Sequence, residues 1–226
     1  MTNLQDITIQ IRRDILRMVH AVNSGHPGGS LGCAEFMVVL FFKIMNRNKD
    51  FTMDGINEDL FFLSNGHISP VLYSVLARVG YFPVTELKTF RKINSRLQGH
   101  PTTHEGLPGI RIASGSLGQG FSVGIGHAMA AKNLNIKKNV FTILGDGELQ
   151  EGQVWEGAMV AAHHNLNNLC AIIDYNKMQS DDLNENISGL EPLADKWSSF
   201  GWNVIEIDGH NIGEIIESID ISISNS

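Results

Sequence analysis

Cysteine is nearly missing from this chain of 226 residues, which has only Cys33 and Cys170. Both lie in apolar surroundings without metal-ligand spacing. A disulfide framework or cysteine-rich metal site is therefore excluded, and both read as reduced core residues of a cytoplasmic protein. Proline is scarce at six residues, and no proline-rich linker, internal repeat or low-complexity tract marks a boundary. One domain over 1–226 is the expected organisation. Long apolar runs are lacking too. The most apolar stretch, Phe36 to Met45, is too short to span a bilayer and carries Lys43, so it reads as a buried helix and argues against a membrane partner. Met1 to Gln5 has no basic region leading into an apolar one, and Asp6 follows, which is unlike a leader. Positive charge is also in deficit. A net charge of -7 argues against nucleic acid as a partner.

What is present suits an α/β fold. With 42% hydrophobic residues the chain can bury one substantial core. Ile11, Ile15, Met18, Val19 and Val22 give a helix with one apolar stripe, leading into a turn at His26. The run Phe121 to Leu134 is rich in Gly and Ala, which suits a helix packed close to a sheet with its amino end aimed at an anion. Val140 to Leu144 and Leu169 to Ile173 are short apolar runs, the pattern of strands buried on both faces of a parallel sheet. Between them Trp155, Ala158, Met159 and Ala162 recur at helical spacing, so the segment reads as one crossover unit. Asn203 to Ile207 is expected to be a further strand, followed by a short helix from Ile212 to about Ile219. The expected architecture is a mostly parallel sheet with helices on both faces.

Chemistry concentrates after those two strands. Gly145-Asp146-Gly147-Glu148-Leu149-Gln150-Glu151-Gly152 follows the first, and Asp174-Tyr175-Asn176-Lys177-Met178 follows the second. If the strands are neighbours, Asp146 and Asn176 emerge side by side in the crevice where open α/β sheets bind ligands. A carboxylate, an amide oxygen and a loop carbonyl are the hard donors that Mg²⁺ takes, with diphosphate oxygens and water able to complete an octahedron. Gly145 and Gly147 let the backbone approach phosphates closely. The bland alternative is an acidic βα turn in which Asp146 caps the next helix. A nicotinamide fingerprint fits worse, because Leu149-Gln150 stand where a third glycine is needed. The parts and their spacing are those of a metal-diphosphate anchor and point to thiamine diphosphate.

Three of the nine histidines have an unusual setting. His26, His67 and His100 each follow a glycine, and two of them precede a proline, which places their rings on irregular turns. Binding residues concentrate on such loops, and imidazole can donate or accept a hydrogen bond near neutrality. His20, His104, His127, His163, His164 and His210 read as exposed or helix-face residues.

Six ordered segments carry a resemblance: Ser24-Gly25-His26-Pro27-Gly28, Leu63-Ser64-Asn65-Gly66-His67, Gly99-His100-Pro101, Gly115-Ser116-Leu117-Gly118-Gln119-Gly120, the Gly-Asp-Gly block and the Asn176 block. Over nearly its whole length the chain resembles the amino-terminal, diphosphate-binding half of transketolases, which implies the thiamine-diphosphate-binding fold. The resemblance assigns Asp146, the Asn176 side chain and the Met178 carbonyl to Mg²⁺. It places His67, Gly147 and Asn176 at the cofactor's diphosphate end and Gly115, Ser116 and Leu117 along its ring side. It turns His26 and His100 toward the sugar, makes His26, His67 and His100 the catalytic set, and puts Glu151 at a subunit interface.

The implied activity is transfer of a two-carbon ketol unit from a ketose phosphate to an aldose phosphate, as in the pentose phosphate pathway. The pyrimidine-binding domain that supplies the activating Glu in this family is not in the sequence. The resemblance therefore implies a partner, the C-terminal subunit of a split transketolase, in a dimer of heterodimers. Family members continue for several tens of residues past Ser226, so the domain is expected to be short at its carboxyl end and to lack one later histidine. Two alternatives stay open: a non-catalytic cofactor-binding half, and a thiamine-diphosphate synthase that decarboxylates a 2-oxo acid. The Gly99-His100-Pro101 turn favours sugar chemistry. The sugars themselves are left open, phosphate-free and sulfonated ones included.

Overall fold

A computed structural model describes residues 3–224; Met1, Thr2, Asn225 and Ser226, which bound the segments read above for a leader and for the carboxyl end, lie outside the described residues. Helix α1 (Leu4–Val22) starts at Asn3, whose side chain accepts the Gln5 N–H, and stops at Asn23 in the left-handed region, φ 47°. Ile11, Ile15 and Met18 form its buried stripe. After α2 (Pro27–Gly32), α3 (Ala34–Val39) runs into a π-helical turn over Leu40–Ile44. The apolar stretch from Phe36 is thus the buried helix its composition predicts.

Strand β1 (Leu60–Leu63) and α4 (Ser69–Arg78) follow, then α5 (Gln119–Asn133), β2 (Val140–Gly145), α6 (Gly152–His163) and β3 (Leu169–Asp174). The short helices α7 (Asn184–Ile187) and α8 (Leu193–Ser199) precede α9 (Ile212–Ser224). On α6 the buried line is Val154, Ala158 and Ala161, so Met159, grouped above with the apolar stripe, is instead 49% exposed.

The sheet has the order β1-β2-β3 and is parallel throughout, with Leu63 opposite Ile143 and Gly145 opposite Asp174. Alternate residues enter opposite cores, as a strand's period of two requires. Phe61, Leu63, Phe141 and Ile143 pack with α1, α3, α4 and α9, whereas Leu60, Phe62, Val140 and Leu144 pack with α5, α6 and α8. Each large side chain removed from water here contributes about 1.5–3 kcal/mol. Helices therefore cover both faces, as expected.

The strand expected over Asn203–Ile207 does not form. That segment joins no ladder, and Val204 and Ile205 are more than a third exposed. Its apolar content is suitable, but strand propensity needs a neighbour in register, and β3 pairs only with β2 among the described residues. The following helix does form and extends to Ser224. No helix of the described residues is long and apolar enough to cross a membrane.

Candidate active site at the carboxyl edge of the sheet

Because the three strands are parallel, their carboxyl ends open onto one edge. His67 follows β1 in a short 3-10 turn (Gly66–Ile68), Asp146 follows β2, and Asn176 follows β3 by two residues. The β2 and β3 loops touch. The Asp146 N–H donates to the Asp174 carbonyl at 3.2 Å, and Asp146 Oδ2 accepts the Lys177 N–H at 2.6 Å.

Asp146 is 2% exposed, and its other oxygen accepts the Gly147 N–H at 2.8 Å. Burial raises its carboxyl above the usual range, partly opposed by those two N–H donors and by the nearby Asn184 amide. Asn176 donates through Nδ2 to Asp174 Oδ2 at 3.0 Å, which fixes its amide, while Oδ1 accepts the Met178 N–H at 2.9 Å. Asp146 Oδ1 and Oδ2 and Asn176 Oδ1 each keep a further lone pair. Among the described residues no three His, Cys, Asp or Glu side chains gather as a metal cluster, so a cation here would rely on this one carboxylate with amide and carbonyl oxygens. That is an oxygen set for a hard divalent ion. Nearby polar atoms also lack partners. Both side-chain atoms of the buried Asn184 and the Nε2 of Gln179 make no well-formed hydrogen bond, and Gln179 lies over Gly147, where an added Cβ would meet it at 2.8 Å. Buried polar atoms are rarely left so; the Asn184 amide approaches Asp146, and the rest keep capacity for a further polar partner beside it.

The helix end expected to face an anion is satisfied from inside the protein. Gly118, at φ 83°, precedes α5 and donates its N–H to Glu148 Oε1 at 2.6 Å. Ser64 Oγ accepts the Phe121 N–H at 3.1 Å and itself donates to Glu148. The second Glu148 oxygen takes the Gly145 N–H at 3.1 Å. The anion at the amino end of α5 is therefore a buried side chain, 1% exposed, which ties β1, α5 and β2 together. Burial raises its carboxyl and the three donors offset part of that.

The three histidines converge on the same edge. The His26 and His67 rings lie 5.0 Å apart, tilted by 56°. His100 packs on Gly115, where an added Cβ would come within 2.8 Å of its Cδ2 and where φ is 137°. Burial, with His26 and His100 adding to it, lowers the His67 imidazole to about 4. Burial and then Arg91 lower His26 and His100 below the usual 6.5. All three are neutral at pH 7, each able to donate one hydrogen bond and accept another.

A family model described as the transketolase, thiamine diphosphate binding domain matches residues 5–225. The chain belongs to this transketolase family. It is 41% identical over 218 residues to the 6-deoxy-6-sulfo-D-fructose transketolase subunit SqwG of Clostridium sp. (strain MSTE9), covering 96% of this chain and 78% of that one. It is 37% identical over 207 residues to an apulose-4-phosphate transketolase subunit of Phocaeicola vulgatus, covering 92% and 73%. Among solved structures, a transketolase variant from Pichia stipitis superposes with a TM-score of 0.93 at 34% identity, covering 99% of this chain but 35% of that one. The chain thus spans about three quarters of the transketolase subunits it matches and about a third of full-length transketolases.

The site residues inferred for this transketolase domain occupy one region, with two qualifications. Met178 is 61% exposed and joined to Leu183 by an isolated bridge, so its carbonyl belongs to a loop tip rather than to the sheet. Glu151 is an exposed residue preceding α6. Sequence reasoning passed over Glu148, Gln179 and Asn184. The first had a visible signal, an acid directly after Gly-Asp-Gly, but its partners Ser64 and Gly118 are distant in sequence. Gln179 and Asn184 had no signal.

Proposed function

We propose that this chain is the amino-terminal, cofactor-binding subunit of a two-chain transketolase that moves a two-carbon ketol unit between sugars. The supporting observation is that His100 rests directly on Gly115, so the histidine turned toward sugar and the loop assigned to the cofactor's ring side share one contact. In this reading Asp146, Asn176 and the Met178 carbonyl hold Mg²⁺, and Gly147 leaves room for the diphosphate. Ser116 and Leu117 continue the ring-side wall from Gly115. Thiamine diphosphate, when bound, supplies the nucleophilic carbon and electron sink needed for cleavage beside a ketose carbonyl. His67, neutral above about pH 4, hydrogen-bonds and places a cofactor oxygen. His26 and His100 bind the ketose hydroxyl and carbonyl oxygens and move protons there as general acid or base.

Two similar transketolase subunits are named for 6-deoxy-6-sulfo-D-fructose and apulose-4-phosphate, which supports an anionic ketose as donor rather than one fixed to the pentose phosphate pathway. The partner supplies the pyrimidine-binding domain with its activating Glu, in a dimer of heterodimers. A cytoplasmic location belongs to the same proposal, supported by the two free cysteines. Turnover is measured with Mg²⁺, thiamine diphosphate and a panel of anionic ketoses, with this chain alone and with the polypeptide encoded beside it. Activity confined to the mixture is expected. Turnover by the pure chain would overturn the two-chain reading, and carbon dioxide release from a 2-oxo acid would overturn ketol transfer.

A further inference from the structure

We infer that Arg91 is a positioning residue whose guanidinium clamps the Ser24–His26 turn to the Gly99–His100 turn, so that two histidines far apart in sequence act as one grip. This rests on the proposed reading of His26 and His100 as sugar-facing. The clamp itself is visible in the contacts. Arg91 Nη1 donates to Ser24 Oγ at 2.7 Å, two residues before His26. On its other side the guanidinium lies against Gly99, one residue before His100, where an added Cβ would sit 2.9 Å from Cζ. Gly99 is therefore a glycine because an arginine occupies the space a side chain would need.

The arginine is held in place at some conformational expense. Its φ is 55°, a left-handed conformation that side chains with a Cβ rarely adopt and that persists only when the surroundings fix it. Its N–H donates to the Leu97 carbonyl at 2.8 Å, which closes the loop leading to Gly99. The Gly99 carbonyl is in turn fixed by Ser69 Oγ at 2.8 Å from the start of α4. The preceding residue, Phe90, is 1% exposed, lies 5.6 Å beneath the guanidinium, and would be 3.5 Å from a Cβ placed on Gly25. Phe90 and Arg91 thus touch both residues of Ser24-Gly25. Val22, Ser24, Arg91, Gln98 and Gly99 line an open notch of about 340 Å³ beside this contact.

The charge has a second effect. Among the described residues no carboxylate forms an ion pair with Arg91, so its field is not cancelled locally. His26 faces His67 and Arg91, and His100 faces His26, His67 and Arg91, while Tyr73 also feels the arginine and has Glu105 as its own acidic neighbour. After burial, Arg91 is the leading cause lowering both imidazoles. A cation that fixes two turns and also disfavours protonation of both rings keeps them neutral acceptors and donors for sugar hydroxyls.

Arg91→Met and Arg91→Lys in the full chain separate the two effects. Ring titrations of His26 and His100 are followed by NMR, with His67 in the same spectra reporting that the fold is intact. KM for the ketose is measured after mixing with the partner. In Arg91→Met both imidazole midpoints are expected to rise toward 6.5, and KM to rise about ten-fold or more, the worth of a charge-assisted hydrogen bond, with a smaller change in kcat. Arg91→Lys keeps the charge and loses the fork, so midpoints stay low while KM rises. Unchanged midpoints and unchanged KM in Arg91→Met, with His67 still near its own low value, would overturn the role. The titration is read on the chain itself, so it stands or fails independently of whether the mixture transfers ketol units.

Discussion

Two acids two residues apart after β2 have opposite surroundings. Glu148 is surrounded by donors belonging to the protein: Ser64, Gly118 and Gly145 take up its oxygens, and α5 begins against it. Asp146, though it accepts two backbone N–H groups, faces Asn184 at the start of α7 and the segment of Gln179, whose side chains keep unsatisfied polar atoms. The first arrangement is complete without a ligand, and the second is not. A helix amino terminus facing an acidic motif therefore does not identify an anion site by itself, because here the fold has already supplied the anion. The unpaired atoms lie beside the acid to which the proposed reading assigns the cation.

Substitutions on the two sides should fail in different assays. Asp146→Ala removes the carboxylate assigned to the cation, and Mg²⁺-dependent binding of thiamine diphosphate, measured by calorimetry with the partner present, should fall by more than about 100-fold. Stability should fall less than in the Glu148 variant, because relief of a costly buried acid partly offsets the loss of the acceptor for the Gly147 and Lys177 N–H groups. A large loss of stability with binding retained would break the comparison. Glu148→Ala should do the reverse. Leaving buried N–H groups unpaired costs about 1–3 kcal/mol each, so denaturant unfolding should show a loss of at least about 3 kcal/mol. A variant within about 0.5 kcal/mol of the parent would show that the hub is ornamental.

Asn184→Ala sharpens the contrast on the ligand side. Its amide makes only a loose contact with Asp146, so stability should shift by less than about 1 kcal/mol, while cofactor affinity drops about ten-fold, the value of one ordinary hydrogen bond or slightly more. Unaltered affinity would remove Asn184 from the site. The smallest effect concerns His67, in the turn that follows β1. With its imidazole lowered to about 4 by burial, then by His26 and His100, the unfolded chain takes up a proton between pH 6.5 and 4 that the folded chain does not. Its contribution is fully present above pH 6.5 and is lost as pH falls through that window. The raised carboxyls of Asp146, Glu148 and Asp174 act in the opposite sense, because there the folded chain holds the extra protons. Comparison with His67→Asn isolates the histidine. The Tm advantage of the parent should shrink as pH drops from 6.5 to 4, and an advantage independent of pH would contradict the assigned shift.

Much of the frame was legible because it follows local rules. α1 shows its period, α5 its Gly- and Ala-rich composition, and β2 and β3 are apolar runs of strand length bounded by glycine or acid. β1 was not anticipated, since Leu60-Phe61-Phe62-Leu63 is too short a run to separate strand from buried helix. Asn203 to Ile207 misled for the converse reason: composition favours a strand, but whether a neighbour lies in register is a property of the whole sheet. At the site, the turn setting singled out His26, His67 and His100. That two of these rings lie 5.0 Å apart depends on where α2 and β1 meet, which no local pattern encodes. Glu148 hid because two of its partners lie 84 and 30 residues away.

Gly120 and Gly124 stand one turn apart on α5. A Cβ on the first would meet Ser64 Cα at 2.5 Å, and one on the second Thr142 Cγ2 at 2.2 Å. Together they act as a spacer of fixed thickness between helix and sheet. The loop carrying Gly115, Ser116 and Leu117 leads into the amino end of that helix, while Asp146 follows β2, the strand on which Thr142 lies. How close the helix lies to the sheet, and with it where that loop is carried, thus depends on two absent methyl groups. Adding either one would force helix and sheet apart at a point distant in sequence from Asp146 and the histidines.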